Sequence, residues 1–391
     1  MNLLSGNLTA VDPLVSALGT LNKSISLFAA FSLVGVLLSL SFFLIEREGK
    51  LEENALRLRN IGKVLAGVWF LTSAFQIIIT LANILGTSFG SALDPTTLSS
   101  FVRQIDLGRF LAFQTFLAGV VLISLTFLRR VLPATVLLGI SLLALVSPVF
   151  QSHSASSGSH SLAIGSLVIH VVALSLWVGG VFALVLLNDS DRKVALPRFS
   201  QLALWAAIAV VASGLINAWT RLNFASAWSS SYARIIIVKA LLTVVLLVIG
   251  YRNRKSLAQG DKTGWNLLSR VIIVEALIMG AVVALGSWLS GSQPPAGKEL
   301  PFNAALSIVG YPTPAAPNFT RLLTLYDPDA LIIGILITLV ALYIKGVVIL
   351  KKRGDSWPVG RTVAFALGVS AMDFATSGGL GVMQSSHLNI T

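Results

Sequence analysis

A chain of 391 residues that is 55% hydrophobic and only 11% charged, with a mean hydropathy of +0.84, cannot cover a water-facing surface and is read as a polytopic membrane protein. The absence of cysteine excludes disulfides, thiolate metal sites and a cysteine nucleophile. The net charge of +12 would suit a nucleic-acid partner, but its distribution along the chain argues for membrane topology instead.

In chain order, ten stretches are apolar for about 20 residues, enough to cross a hydrocarbon core of about 30 Å. They lie near residues 25–45, 64–86, 108–128, 131–150, 161–187, 202–220, 233–250, 271–290, 330–350 and 362–385. The expected fold is all-α, a polytopic membrane helix bundle with about ten transmembrane helices. The opening MNLLSGNLTAVDPL has no basic segment running directly into an apolar core, so it does not read as a cleaved signal peptide and the first helix is expected to stay. No repeat of fixed period and no low-complexity tract is present.

Basic residues crowd alternate connections. One set carries Arg47, Lys50, Arg57, Arg59 and Lys63, then Arg129 and Arg130, Arg192, Lys193 and Arg198, Arg252, Arg254, Lys255, Lys262 and Arg270, and Lys351, Lys352, Arg353 and Arg361; the other holds few, among them Lys23, Arg103, Arg221, Lys298 and Arg321. The positive-inside rule makes the first set cytoplasmic. Both termini and the loop around 151–160 are then outside a cell (cytoplasmic) membrane. The segment from Gly291 to Asp329, rich in proline, glycine and asparagine, separates eight spans from two. It divides the chain into domains 1–295 and 330–391, with 296–329 as an outer linker.

Histidine is the most informative residue type. Three of the four histidines, His153, His160 and His170, fall within eighteen positions. Imidazole is the side chain most often recruited for a transition metal, and a cysteine-free membrane protein must hold a soft ion with histidine and methionine. His170 lies about nine residues below the outer start of the fifth span, roughly 13 Å deep. There it reads as a ligand or relay, or as a neutral imidazole satisfied by a serine or a backbone carbonyl. If His160 and His170 share that helix, they are about 15 Å apart and cannot bind one ion together. His153 and His160 bound HSASSGSH, whose serine and glycine content lets both rings converge on one ion at the outer surface; two solvated loop histidines are the plainer alternative. Met383 and His387, four apart and so on one helical face, emerge on the same side. Thioether plus imidazole suits copper(I), and packing or fraying of that helix end is the competing account.

Other polar groups within spans are Lys239, Glu275 and Asp373. Each is expensive in lipid, roughly 2.5 to 3.5 kcal/mol for a charge at the bilayer centre. Lys239 reads as a snorkelling or paired ammonium, and Glu275, five residues from Arg270, as an interfacial structural group.

The string HSASSGSHSLAIGSLVIHVVALSLWVGGVFAL resembles the CopD-type copper-resistance membrane domain, in which an outer-loop histidine precedes a membrane histidine and a Trp-x-Gly-Gly run, here His170 and Trp177 to Gly180. FSQLALWAAIAVVASGLINAW, YARIIIVKALLTVVLLVIGYRNR and RVIIVEALIMGAVVALGSWLSGSQPP continue the resemblance, which covers about residues 25–295. Beyond the linker, residues 327–383 are similar to the opening two helices of CtaG-type cytochrome oxidase assembly factors, with Lys345, Gly346, Trp357, Pro358, Arg361 and Gly368 in matching places. That family continues with further helices and a histidine- and methionine-rich stretch, whereas this sequence stops at SSHLNIT, so the second domain is expected to be incomplete.

The resemblance implies copper uptake or transfer across the bacterial cytoplasmic membrane, with copper, copper(I) or copper(II), as bound or carried ion. Supply to cytochrome oxidase assembly follows from the second segment, with an outer-face copper chaperone or the oxidase as partner, and no nucleic acid. Nothing in the sequence marks catalysis, and without a G-x-x-x-x-G-K-[ST] motif transport must be passive or coupled to a gradient. Two other readings stay open. One is a haem-binding electron carrier, for which His170 is the only histidine within a span, with Met279 and Met372 as distant thioethers. The other is a non-transporting structural or assembly subunit whose polar groups lock helices together.

Overall fold

The computed structural model describes residues 13–44, 51, 53–87, 89–151, 160–221, 230–258, 265–292, 330–352 and 359–373. Among them every regular element is helical: α1 (Pro13–Leu38, continued by a π turn Ser39–Phe43), α2 (Glu53–Leu85), α3 (Phe89–Ala92), α4 (Pro95–Gln104), α5 (Asp106–Phe127), α6 (Val131–Val146, then a 3₁₀ turn Ser147–Gln151), α7 (His160–Leu186), α8 (Asp189–Arg221), α9 (Ser231–Ala258), α10 (Trp265–Gly291), α11 (Ala330–Lys352) and α12 (Val359–Asp373). In lipid each backbone N–H and C=O must be satisfied within its own segment, which leaves an isolated apolar run no alternative to the helix.

Nine of the described helices are long and apolar enough to cross a membrane. The tenth expected span, 362–385, is described only through Asp373, where Val359–Ser370 forms a shorter apolar helix; its remainder lies outside the described residues. α2 starts at Glu53 and α8 at Asp189, well before the apolar stretches expected at 64 and 202. Hydropathy marks only the part of a helix that lipid surrounds, while backbone hydrogen bonding runs on through charged turns. The short helices α3 and α4, between the second and third spans, had no counterpart in the expected elements. Asp94 caps α4: its carboxylate accepts from the Thr97 backbone N–H at 2.8 Å and from the Thr97 hydroxyl at 2.8 Å, with Pro95 pre-set for the first turn. The Thr97 backbone N–H holds the Asp94 carboxyl below the usual carboxylate range. α4 buries Phe101 against Val15, Leu81, Ala82 and Leu111, closing one end of α1, α2 and α5.

The chain divides into two compact units, the first 1–152, 170–212 and 224–295, the second 153–169, 213–223 and 296–391. The first is organised on α1, which packs on α2, α6 and α10 and buries Phe31, Leu33, Val34 and Leu37 among Trp69, Leu125, Leu184 and Met279. Small residues let backbones meet: a Cβ on Gly179 of α7 would collide with the Phe31 carbonyl of α1 and come within 2.9 Å of the Gly35 nitrogen, and one on Gly180 would enter the Phe199 ring of α8. Phe199 packs edge-on against Phe43 at 5.9 Å. A polar seam joins α1 to α2: Asn22 donates to the Thr72 carbonyl at 3.0 Å and to Gln76 Oε1 at 2.9 Å, and Gln76 donates to Thr80 at 3.3 Å.

Arginines at one end of this unit close helix C-termini. Arg59 donates to the Leu128 carbonyl at 3.1 Å, Arg192 to Leu184 and Leu187 at 2.8 Å each, and Arg198 to Phe43 at 3.0 Å and Phe42 at 3.2 Å. The last carbonyls of a helix lack intrahelical donors and sit at its negative end, so a guanidinium there both satisfies and neutralises them. Three of the basic connections thus meet at a single end of the unit. In the second unit, Tyr343 of α11 stacks on Phe365 of α12 at 4.0 Å and donates to the Thr362 hydroxyl at 2.9 Å, and a Cβ on Gly334 would touch the Ile169 side chain at 3.0 Å.

Candidate functional site

α7 is apolar along nearly its whole length, and His170 stands ten residues in from its first residue, His160, a rise of about 15 Å. The half-buried ring is turned toward α8, where His170 Nδ1 lies 3.2 Å from the carbonyl oxygen of Val210. A carbonyl only accepts, so Nδ1 carries the proton and donates; when the imidazole is neutral, Nε2 is its acceptor nitrogen. Metal-ligating histidines are commonly oriented this way, by one ring N–H given to a carbonyl.

The frame around the ring is tight. α7 and α8 run antiparallel, with His170 meeting Val210 at one level and Gly180 meeting the Phe199 ring at another. Between them Trp177 is 4% exposed in the main core, and Gly179 brings α7 onto α1. The ring therefore hangs from helices that cannot shift independently, a rigid mount of the kind binding groups need.

The side chains of the remaining expected ligands are not among those described. His153, Met383 and His387 lie outside the described residues, and His160 opens α7 with its side chain outside the description. Among the described residues no group of three or more His, Asp or Glu side chains could hold a metal ion. His170 is thus placed within a span, and no such group of described residues surrounds it.

Two charged groups expected within spans are placed on the neighbouring helix pair. Glu275 of α10 is 6% exposed and accepts a hydrogen bond from Asn253 Nδ2 of α9 at 3.2 Å. Lys239 of α9 sits against α10 at a different level, its Nζ 3.5 Å from where a Cβ on Gly286 would stand. Sequence reasoning read Glu275 as an interfacial structural group because Arg270 is close; packing within the protein buries its side chain. The partner Asn253 was not singled out as such, although an amide at the end of an apolar run is the signal that could have found it. The same holds for Asn22 and Gln76, the two amides of the α1–α2 seam.

Comparison with known families extends this picture. Residues 18–163 match the family described as copper resistance protein D-like, N-terminal domain, and residues 193–289 match copper resistance protein D. Residues 341–390 match the cytochrome c oxidase caa3 assembly factor family. Among relatives, an uncharacterized protein of Mycobacterium bovis is 24% identical over 88% of this chain and 51% of its own length. The inner membrane protein YebZ of Escherichia coli is 26% identical over 48% of this chain and 68% of its own. The copper transport protein CutJ of Bacillus subtilis is 29% identical over 40% of this chain and 30% of its own. The chain spans about half the length of the mycobacterial relatives it matches. No solved structure matches it significantly.

Proposed function

We propose that this chain, a multi-pass membrane protein whose residues 18–163 and 193–289 are copper resistance protein D-type domains, moves copper across the bacterial cytoplasmic membrane, by uptake or transfer. The observation that carries the reading is His170, an imidazole mounted inside a span with its Nδ1 proton given to the Val210 carbonyl. That tautomer presents Nε2 as the donor atom toward a soft cation. The name of the Bacillus relative, a copper transport protein, supports the choice of cargo.

In this reading copper is captured outside by His153 and His160, helped by Met383 and His387, and passes His170 on its way inward. It leaves at the basic end, where arginines close the helix termini. The orientation with both termini outside rests on the alternating basic connections. Functionally, 1–295 is the transporting domain, 296–329 a linker, and 330–391 a segment that directs copper toward cytochrome oxidase assembly, in keeping with its match to an assembly-factor family. The partner is then an outer-face copper chaperone or the oxidase itself.

A second reading has a specific observation in its favour: a backbone carbonyl partner is also what a purely structural histidine would have. His170→Ala separates the two, with cellular copper accumulation and thermal stability of the purified protein measured together. Transport predicts surface binding retained and accumulation lost. Normal accumulation with stability lowered by roughly 1 to 3 kcal/mol, the cost of an abandoned buried partner, would leave His170 as a packing residue.

A further inference from the structure

Glu275 has no part in the copper path described above, yet it is the only acidic residue buried among the described residues. It lies inside the span Arg270–Gly291, among the core residues Ile272, Ala276 and Met279. Its Oε2 accepts from Asn253 Nδ2 at 3.2 Å, and the ion pairs among the described residues lie elsewhere, at Asp106 and Asp189.

The surroundings offer it little charge. α9 carries Tyr251, Arg252 and Lys255 near that level, all exposed, and the side chain of Arg254 is outside the description. On α10 the nearest basic residue is Arg270, also exposed. α1, the other helix packed on α10, has no titratable residue from Ile25 to Phe43. Lys239 stands beside Gly286, eleven residues along α10 from Glu275 and so about 16 Å away.

An ionised carboxylate in this setting has one amide dipole to replace its water. The acid form is served equally well, because an asparagine side chain holds both a donor, Nδ2, and an acceptor, Oδ1. Turned one way Asn253 donates to the carboxylate; turned the other it accepts the carboxyl O–H. A buried carboxyl whose single partner can serve both protonation states is suited to take up and release a proton in place.

We propose that Glu275, with Asn253 as its two-way partner, is a proton-exchange site near the basic end of the CopD domain, and that it couples copper passage to the proton gradient. Resting on the transport reading, it assigns that reading an energy source. In the step itself the carboxyl O–H bond breaks and the proton leaves to water at the basic end; the bond re-forms with a proton from the opposite side of the membrane as the cycle closes, so each cycle carries one proton across, with no oxidant or reductant involved.

The test uses the full chain and the variant Glu275→Gln, which keeps the size and an acceptor oxygen for Asn253 but cannot titrate. In liposomes loaded with copper(I), a pH difference imposed across the membrane should change wild-type copper flux severalfold, whereas Glu275→Gln flux should ignore it. Separately, without copper, infrared difference spectra of the purified protein should show a protonated-carboxyl C=O band that titrates in the wild type and is missing in the variant. A gradient response retained in Glu275→Gln, or the absence of a titrating band that the variant removes, overturns the proposal. A titrating Glu275 in a wild-type chain that moves no copper overturns the transport reading, and the coupling with it; gradient-independent copper flux by the wild type overturns the coupling alone.

Discussion

His170 and Glu275 are both polar groups set in apolar helices, and they are secured in opposite ways. His170 gives its proton to a main-chain carbonyl on α8, and a helix carbonyl cannot turn away, so one tautomer and one ring direction are imposed. Glu275 is met by a side-chain amide on α9, which can rotate and answer either protonation state. The contrast separates two jobs that polar groups do inside a membrane. One holds an atom in place, and the other can change state without moving a helix.

The comparison can be broken first at the mount of His170. Gly179→Val would drive a side chain into the Phe31 carbonyl of α1, and we predict a loss of about 3 kcal/mol from overpacking, read as a lower unfolding temperature in detergent together with lost copper accumulation. An unchanged melting temperature would show that α1 and α7 do not approach as closely as described and that the ring is not rigidly held. A smaller effect is expected on the other side. Asn253→Ala should cost about 2 kcal/mol by stranding the Glu275 carboxyl, and adding Glu275→Leu should recover most of that, since removing both partners is far cheaper than removing one. The Val210 carbonyl that meets His170 belongs to the backbone and cannot be removed in this way; a double variant no better than Asn253→Ala would mean the Asn253–Glu275 bond is not what holds that pair. The smallest change in stability, under about 0.5 kcal/mol, is predicted for His153→Ala combined with His160→Ala. Copper binding should nevertheless weaken, and unchanged stoichiometry and affinity in titration calorimetry would reduce both residues to solvated histidines.

Two features of the candidate site, His170 and the glycine pair on the same helix, could be read from the chain. An imidazole inside an apolar run stands out because lipid makes every such group costly, and the Gly179–Gly180 pair announces a close helix contact because only a missing side chain permits one; the structure places Gly179 on α1 and Gly180 on Phe199. Partners were not legible. Asn253 and Glu275 are separated by 22 positions, and Asn22 reaches Gln76 across 54, so which polar residues meet depends on helix rotation and level, which periodicity does not encode. The arginines show the same limit from another side. Their alternation along the chain signals topology, but that Arg198 closes the end of α1, some 155 residues earlier, follows only from packing.

By itself, then, the sequence determined the all-helical membrane class, the approximate position of nine apolar spans, and the residues whose chemistry is out of place in lipid. These are local matters, settled by the transfer free energy of each side chain and by the need of every peptide group for a partner within its own segment. Tertiary structure decided where each helix starts beyond the lipid, which face of α7 meets α8, and therefore that His170 finds a carbonyl while Glu275 finds an amide. Those outcomes turn on contacts between distant segments, where differences in shape as small as the absent side chains of Gly35 and Gly179 set how closely the helices approach.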